Sequence, residues 1–435
     1  MAAVLGPVAG PGAHLVVGLS GGVDSVTLLA VLAELAAGMR ISLRALHVHH
    51  GISPRASLWA QFCQDLCSRL SVPLSIERVD IGRHRSQGLE GAARRARYAA
   101  YAREEADFIV LAHHRDDQAE TLLLQLLRGA GPLGMAGMPL LRPLAGSRAR
   151  ILRPLLAFAR ADIEAWARTR GLKWIEDESN SDTARKRNFI RHRVLPLIEE
   201  QFPAARVTVA RAAGHFAEAG DLLTELARMD LATLDVPGGI DVAGLRRLGA
   251  IRAKNALRTM LRSRAIPVPA SARLDELHRQ LIDSREDRTV LVSLGAWELR
   301  RYRGRLLVER ARAAPPADFR VVWHGESRLP VLELGGVLKF KAEEGRGLSV
   351  RMLRTAEVSV QLREGGERLR PETKRPRRAL KKLLQERGIP PWHRARWPVI
   401  YCGDNVVSVP GIGDDCDWRA GPGEAGVIVS WEPLE

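Results

Sequence analysis

The segment His14–Leu35, "HLVVGLSGGVDSVTLLAVLAEL", decides the fold of the N-terminal part of the chain. An apolar run, predicted to be a strand over 15–19, ends in a glycine turn, and a predicted helix over 24–37 follows. Glycine lets backbone N–H groups approach an anion, and the helix N-terminus adds partial positive charge. We therefore predict a phosphate-binding loop formed by Ser20, Gly21, Gly22, Val23, Asp24 and Ser25.

Asp24 is the informative residue of this loop, because a carboxylate beside a polyphosphate is repelled unless a divalent cation lies between them. The loop therefore predicts Mg²⁺ together with a phosphate chain. The alternative is a plain glycine-rich turn in which Asp24 stabilises the helix dipole. Two common phosphate loops are excluded, since a Walker A loop requires a lysine and a dinucleotide fingerprint requires G-x-G-x-x-G, and this segment has neither.

Strand-like and helical segments alternate from residue 14 to about residue 130. This alternation predicts an α/β fold with a doubly wound parallel sheet, in which ligands bind beyond the carboxyl ends of the strands. The predicted strands are 15–19, 41–49, 73–80 and 108–113, and the predicted helices are 24–37, 57–70, 90–106 and 116–128. The strand ends are Ser20, His49–His50, Asp80 and His113–His114.

The pattern changes after about residue 202. Long helical segments are followed by a hairpin that turns at Arg303-Gly304 and then by shorter strand-like segments. We predict an N-terminal sheet domain over 1–205 and a mainly helical central domain over 206–318 that ends in the β-hairpin. A linker with short strands over 319–357 and a small, basic α+β C-terminal domain over 358–435 complete the prediction.

The charge balance of the 435-residue chain is strongly basic, with 66 Lys and Arg against 50 Asp and Glu, a net charge of +16. Such a balance favours a polyanionic partner, nucleic acid before a membrane surface. The alternative is that the arginines lie on solvated helix faces. The cysteines form neither a disulfide framework nor a C-x-x-C motif. We predict a cytoplasmic protein, because we find no signal peptide and no apolar run long enough to cross a membrane.

The hexapeptide at 20–25 resembles the PP-loop of the ATP-pyrophosphatase superfamily, whose members cleave ATP between the α- and β-phosphates. The resemblance implies an adenine nucleotide α-hydrolase-like fold and the use of ATP. The segment Leu43–Ala56, "LRALHVHHGISPRA", resembles the H-x-N-H-G-L-R segment of one branch, the tRNA(Ile)-lysidine synthetase family. This resemblance implies that His50 contributes to the nucleotide site, while His49 and Ser53 depart from the family pattern.

A second segment, Leu111–Gly131, places Asp116, Asp117 and Glu120 on the first turn of a predicted helix. Their like charges repel one another unless a cation arrives, either a metal or a substrate ammonium. The alternative is that acidic residues simply suit a helix N-terminus. The segment resembles the family signature H-H-x-D-D-x-x-E-T, which implies that His113, Asp117 and Glu120 receive free lysine. We predict Asp24 and Asp116 as metal ligands.

Basic segments complete the resemblance. "WIEDESNSDTARKRNFIRHRVLP" at 174–196 is similar to the family motif E-D-x-S-N-x-D…R-N-x-x-R, and "QGLEGAARRARYAAY" at 87–101 also matches. Between residues 363 and 396, 12 Lys and Arg stand against 4 Asp and Glu with aromatic residues interleaved, a composition typical of RNA binding. The predicted tRNA-binding residues are Arg94, Arg97, Arg187, Arg191, Arg368, Arg370, Lys381, Lys382, Trp392 and Arg394.

The resemblance implies the ATP-dependent attachment of lysine to the first anticodon cytidine of tRNA(Ile) with the anticodon CAU. The cytidine C2 oxygen is first adenylated, and the lysine amine then displaces AMP. Asp24, Asp117 and His113 are the predicted catalytic residues, and the proton acceptor stays open between a carboxylate and His113. The alternatives are a thiolase-type PP-loop tRNA enzyme and a non-catalytic RNA-binding protein. The predicted partners are tRNA, free lysine and, in a homodimer, a second copy of the chain.

Overall fold

The computed structural model describes residues 1–51, 53–80, 89–285 and 290–434. Residues 87 and 88, the start of one predicted tRNA-contacting segment, lie outside the described residues. The chain divides into two compact units, Met1–Arg228 and Met229–Glu435. Among the described residues, no helix combines the length and the apolar character needed to cross a membrane.

The first unit alternates strands and helices, as predicted. Its strands are β1 (His14–Gly18), β2 (Ser42–His49), β3 (Leu74–Arg78), β4 (Phe108–Val110), β5 (Leu141–Pro143) and β6 (Arg150–Leu152). Its helices are α1 (Ala2–Leu5), α2 (Val23–Met39), α3 (Ala56–Arg69), α4 (Leu89–Arg103), α5 (Arg115–Leu126), α6 (Pro132–Met135), α7 (Arg160–Thr169), α8 (Lys186–Phe189), α9 (Leu195–Gln201) and α10 (Ala205–Leu234), which crosses into the second unit. A 3-10 turn spans Glu178–Ser181, and a π-helical turn, Ile190–Val194, joins α8 to α9.

The sheet of the first unit has the strand order β3-β2-β1-β4-β6-β5, and its pairings are parallel except that of β5 with β6. Side chains of β1 alternate between the two faces. Leu15 and Val17 pack in one core with α2 and α3, whereas Val16 packs in another with α4. Helices thus cover both faces, which confirms the doubly wound sheet. The strand order reverses between β1 and β4, so the loops after these strands meet at the crevice where such sheets bind ligands.

The predicted elements of this sheet are confirmed, with ends that shift by up to three residues. The predictions did not include β5 and β6, each of which has only three residues. The basic segment around Arg187 and Arg191 is helical, as expected.

The second unit combines a helical part with several small antiparallel sheets. Its helices are α11 (Val242–Arg247), α12 (Gly249–Ser263), α13 (Ser271–His278), α14 (Val350–Leu353), α15 (Leu380–Glu386) and α16 (Pro391–Arg394). A π-helical turn, Arg279–Asp283, follows α13, and a 3-10 turn spans Cys416–Trp418. Its strands are β7 (Asp235–Val236), β8 (Gly239–Asp241), β9 (Val290–Leu294), β10 (Trp297–Tyr302), β11 (Arg305–Arg310), β12 (Arg320–Val322), β13 (Arg328–Val331), β14 (Gly336–Glu344), β15 (Leu348–Ser349), β16 (Val358–Gln361), β17 (Arg368–Leu369), β18 (Arg378–Ala379), β19 (Val399–Cys402), β20 (Asn405–Val409), β21 (Gly413–Asp414) and β22 (Ala425–Pro433).

The sheets of this unit have the strand orders β7-β8-β11-β10-β9, β12-β16-β19-β20-β21, β13-β14-β22-β15 and β17-β18. The hairpin of β10 and β11 turns at Arg303-Gly304, as predicted, with both turn residues at positive φ. The prediction of a linker over 319–357 differs from the structure. Strand β14 pairs along its whole length with β22, and Phe319, Leu338 and Val358 share one core with Val427. The segment therefore belongs to the C-terminal fold.

Candidate active site

The predicted phosphate-binding loop joins β1 to α2, and its own hydroxyls hold it in shape. Ser25 Oγ donates to the Gly22 carbonyl at 3.0 Å, accepts the Ser20 N–H at 3.2 Å, and lies 3.0 Å from Ser20 Oγ. Gly22 is the N-cap of α2, so the first free N–H groups of this helix lie at the loop. The loop is therefore preorganised as an anion-binding turn at a helix N-terminus.

Gly21 occupies a position that only glycine fits. Its φ is +88°, and a Cβ placed on it would lie 2.6 Å from Cδ1 of Ile175. The Ile175 N–H also donates to the Gly21 carbonyl at 2.9 Å. The segment that begins the acidic and basic motif at 174–196 thus packs directly on the phosphate loop.

Asp24 lies in the first turn of α2 with one carboxylate oxygen unsatisfied. Within the described part of the chain, its buried Oδ1 has no hydrogen-bond partner, while its Oδ2 lies 3.8 Å from Nε2 of His114. Burial raises the pKa of this carboxyl group, although His114 and nearby arginines oppose the shift. A hard carboxylate oxygen beside a phosphate site is the ligand that Mg²⁺ prefers, with substrate phosphates and waters completing its shell. Asp24 therefore fits the predicted magnesium ion.

Asp116, the second predicted metal ligand, lies beside an arginine. Its Oδ2 lies 3.5 Å from Nη1 of Arg206, whose Nε donates to Glu199 Oε1 at 2.8 Å. Like Oδ1 of Asp24, the buried Oδ1 of Asp116 has no hydrogen-bond partner in the described part of the chain. Among the described residues there is no group of three His, Cys, Asp or Glu side chains that could hold a metal on its own. Each of the two predicted ligands thus keeps one carboxylate oxygen without a partner, and Asp116 as a metal ligand stays a prediction.

Asp117 and Glu120 form a buried ion-pair cluster with Arg187 and Arg191. Arg187 donates to Glu120 Oε2 at 2.7 Å and to Asp117 Oδ1 at 2.9 Å. Arg191 donates to Glu120 Oε1 at 2.5 Å and to Asp117 Oδ1 at 3.2 Å. The Glu120 side chain is 0% exposed and that of Asp117 is 11% exposed. The predicted tRNA contacts of both arginines stay predictions, since the structure gives their guanidinium groups these carboxylates instead.

His114 links this cluster to the phosphate loop. Its Nε2 lies 3.8 Å from Asp24 Oδ2 and 3.5 Å from Asp117 Oδ2, and its backbone N–H donates to Asp117 Oδ2 at 3.1 Å. Burial favours the neutral form of Asp117, but His114 and Arg187 outweigh it and hold the pKa of Asp117 below its usual value. The structure thus brings together Asp24 and Asp117 at the crevice between β1 and β4.

His113 is half-buried and lies beside an arginine that was not predicted from the sequence. Nε of Arg153 donates to His113 Nδ1 at 3.3 Å, and Nη1 of Arg153 donates to the Pro139 carbonyl at 2.8 Å. Burial lowers the pKa of His113 to about 3, so the ring is neutral near pH 7. Because arginine only donates, Nδ1 must carry the lone pair and Nε2 the proton. Arg153 directly follows β6, so predicting that strand would have placed Arg153 at this sheet edge.

A cavity of about 710 Å³ opens beside these residues. Its lining includes His50, Arg94, Arg97, His113, Glu178 and Arg187. His50 Nδ1 is buried without a partner in the described part of the chain, and its Nε2 lies 3.5 Å from Arg97 Nη2. Burial and the charge of Arg97 lower the pKa of His50 to about 4. Arg94 lies against the Tyr98 ring, 5.0 Å from its centroid, and both Arg94 and Arg97 are exposed, as an anionic ligand would require.

Two of the four cysteines, Cys63 and Cys67, lie in the first unit, and the structure indicates that their thiols are unreactive. Cys63 and Cys67 are fully buried in the core, and Cys63 Sγ lies 3.5 Å from His47 Nδ1. Burial raises the pKa of the Cys63 thiol to about 12 and that of Cys67 to about 11. A thiol with so high a pKa is protonated near pH 7 and is a poor nucleophile. This observation disfavours the alternative of a thiolase that uses either thiol.

The predicted tRNA-binding residues of the second unit fall into two groups. Lys381 and Lys382 on α15 are exposed, and Arg368 is exposed with one donor on a backbone carbonyl. The other three are engaged within the protein: Arg370 with Asp417, Trp392 with Glu309, and Arg394 with the Ile389 carbonyl and the Tyr302 hydroxyl. Their contacts with tRNA stay predictions.

Comparisons with known proteins agree with this architecture. Three family models match the chain: a "PP-loop domain" at residues 5–198, a "TilS substrate binding domain" at 240–307 and a "TilS substrate C-terminal domain" at 358–431. The chain is 44% identical over 426 residues to the tRNA(Ile)-lysidine synthase of Nitrosomonas europaea, a match that covers 98% of this chain and 93% of that protein. It is 42% identical to the tRNA(Ile)-lysidine synthase of Aromatoleum aromaticum, over 97% of this chain and 98% of that protein. The chain therefore belongs to the tRNA(Ile)-lysidine synthase family.

Proposed function

We propose that this protein joins free L-lysine to C2 of the first anticodon cytidine of tRNA(Ile) with the anticodon CAU, using ATP and releasing AMP and pyrophosphate. One observation carries the proposal. A preorganised phosphate loop lies next to the unsatisfied Asp24 carboxylate and the acidic cluster at one sheet edge, in a chain similar throughout its length to lysidine synthases. ATP, Mg²⁺, lysine and tRNA are the corresponding ligands.

In the first step, the cytidine C2 oxygen attacks the α-phosphate of ATP, the bond to the β-phosphate breaks, and pyrophosphate leaves. The N–H groups at the start of α2 and the hydroxyl of Ser20 stabilise the departing charge. Mg²⁺, held by Asp24, would supply further charge neutralisation on the phosphate oxygens.

In the second step, the lysine ε-amine attacks C2 and AMP leaves with the oxygen. The amine must lose a proton first, since an ammonium has no lone pair. His113 is an unsuitable acceptor, because Arg153 occupies Nδ1 and Nε2 already carries a proton. We assign His113 the role of a hydrogen-bond donor through Nε2 and leave proton transfer to a carboxylate.

For lysine to bind at Asp117, its ammonium group has to take the place of an arginine that now binds this carboxylate. Both Asp117 and Glu120 are held by arginines, so an incoming ammonium has to replace a guanidinium group. Asp117 is the more accessible carboxylate, and Arg187, 30% exposed against 19% for Arg191, is the more accessible of the two arginines. Lysine therefore displaces Arg187 from Asp117 most readily. The predicted cytoplasmic location and homodimer stay predictions.

The decisive experiment incubates the full chain with ATP, Mg²⁺, lysine and a tRNA(Ile) transcript, then measures the mass of the anticodon nucleoside. We expect the first anticodon cytidine to gain lysine with loss of one water, together with one AMP and one pyrophosphate. Reactions without lysine, and a transcript with uridine at that position, are the controls. An unchanged cytidine would contradict the proposal.

A further inference from the structure

The second unit contains a cavity of about 750 Å³ that the reaction above does not use. Its walls carry four indole rings, those of Trp297, Trp392, Trp397 and Trp431. The volume lies in the range typical of sites for small organic ligands. Four of the nine tryptophans in the chain thus line a single cavity, which marks it as a place for a planar ligand.

Positive charge dominates the lining. The cavity is lined by five arginines, Arg264, Arg300, Arg310, Arg312 and Arg396, and by two carboxylates, Glu298 and Glu309. Both carboxylates are already engaged. Glu298 accepts from Arg300 at 2.7 Å, and Glu309 accepts from Trp392 Nε1 and lies 3.0 Å from His393 Nε2. Within the described residues, the other four arginines have no ion pair to a carboxylate.

The arginines also crowd one another. Arg396 donates from Nη2 to the Arg312 carbonyl at 2.9 Å, and Arg312 itself donates to the Gly335 carbonyl at 3.0 Å. Burial lowers the pKa of Arg396, and the neighbouring charges of Arg312 and Arg300 lower it further. Like charges held together by backbone carbonyls create a positive potential that an anion relieves.

Two of the arginines of the lining lie over indole rings of the same lining. The Arg300 guanidinium lies 4.5 Å from the centroid of the Trp392 ring, and that of Arg310 lies 5.2 Å from the Trp297 ring. Indole faces and guanidinium planes are the surfaces on which unstacked nucleobases pack, and arginine also binds phosphate. A ligand with a flat heterocycle and a phosphate satisfies both sets of groups.

We propose that this cavity binds an unstacked nucleotide of the tRNA, with its base against the indoles and its phosphate on the unpaired arginines. The inference rests on the proposed function, which supplies tRNA as the substrate. RNA is favoured over a free nucleotide because the lining comes from both substrate-domain matches. Trp297 and Arg300 lie in the segment 240–307, and Trp392 and Arg396 lie in 358–431.

Photocrosslinking of the wild-type full chain to the tRNA(Ile) transcript tests this directly. After irradiation and digestion, mass spectrometry should find an unpaired tRNA nucleotide attached to a peptide that contains Trp297, Trp392 or Trp397. Crosslinks from paired nucleotides only, or none to these peptides, would overturn the proposal. A cavity that binds AMP but gives no crosslink to tRNA would overturn it too, because it would then be a free-nucleotide site.

Variants of the full chain supply a second test. We expect Trp297→Leu and Arg310→Gln each to weaken tRNA binding about tenfold, and Trp297→Phe to restore most of the loss, because a flat ring returns. Arg346→Gln removes an exposed charge from the same unit outside the cavity and is the matched control. Unchanged binding by both cavity variants would contradict the proposal. Lysidine formation by the wild-type chain, measured in parallel, separates this outcome from a failure of the proposed function.

Discussion

The sheet edge of the first unit and the cavity of the second unit differ in whether their charged side chains have partners of opposite charge. At the sheet edge, Glu120 is fully buried and two arginines satisfy it with directional hydrogen bonds. In the cavity, four of the five arginines, Arg310 among them, lack carboxylate partners among the described residues. A reacting centre needs fixed atoms, whereas a surface that holds a flexible polyanion needs charge in excess. Substitutions at the sheet edge should therefore lower the reaction rate and the stability of the fold. Substitutions in the second unit should lower the affinity for tRNA, and the size of this loss should depend on salt concentration.

The largest effect is expected from Asp24→Asn, which keeps the shape of the side chain and removes its charge. AMP release in the presence of tRNA and lysine should fall by at least about 100-fold, because a metal ion at the phosphates stabilises the transition state by several kcal/mol. The matched variant Asp116→Asn should lose less activity, because Arg206 lies beside one of the two oxygens of Asp116. Equal losses in both variants would support Asp116 as a second metal ligand.

The buried ion-pair cluster offers the next largest effect, this time on stability. Glu120→Gln and Arg191→Gln should each lower the free energy of unfolding by about 3–5 kcal/mol, because each leaves a buried charge without its partner. The double variant should lose less than the sum, which urea denaturation of all four proteins would measure. Strict additivity would show that the two side chains do not interact in solution. The exposed pair of Arg55 and Glu178 serves as a control, with an expected coupling below about 1 kcal/mol.

Two adjacent glycines allow a sharp test of the phosphate loop. Gly21→Ala should weaken ATP binding and destabilise the fold by about 1–3 kcal/mol, because alanine is strained at positive φ and its Cβ meets Ile175. Gly22 has a φ of −73°, and a Cβ there would lie 3.6 Å from Ser20 Oγ. Gly22→Ala should therefore have a clearly smaller effect in calorimetric titration with ATP and in thermal unfolding. The reverse order would show that the loop geometry described here is wrong.

The smallest effect is expected for the exposed lysines of α15. Lys381→Gln and Lys382→Gln should each reduce the slope of log affinity for tRNA against log salt by about 1, if each contacts one phosphate. Neither substitution should change thermal stability, because both side chains are exposed. Filter binding at several salt concentrations measures the slope, and an unchanged slope would remove that lysine from the tRNA surface.

Sequence reasoning located the phosphate loop and the acidic cluster because each lies within one contiguous motif at a predicted strand end. It missed Arg153 because β6 has only three residues, too few for a periodicity to show. It did not predict that Arg187 and Arg191 bind Glu120, because a basic helix in sequence does not reveal carboxylates about 70 positions away. The pairing of β14 with β22 was not predicted either, since the two strands are far apart in sequence and a strand pattern does not reveal its partner.

The contact between Ile175 and Gly21 has a consequence for the order in which the protein is built. Every strand of the first sheet is synthesised before residue 175, yet the turn after β1 still lacks the side chain and the N–H that cover it. A chain that ends before Trp174 would thus contain all the strands of the sheet but leave this loop uncovered. Nucleotide binding would therefore become possible only late in translation, after the segment around residue 175 has packed on the loop near the N-terminus.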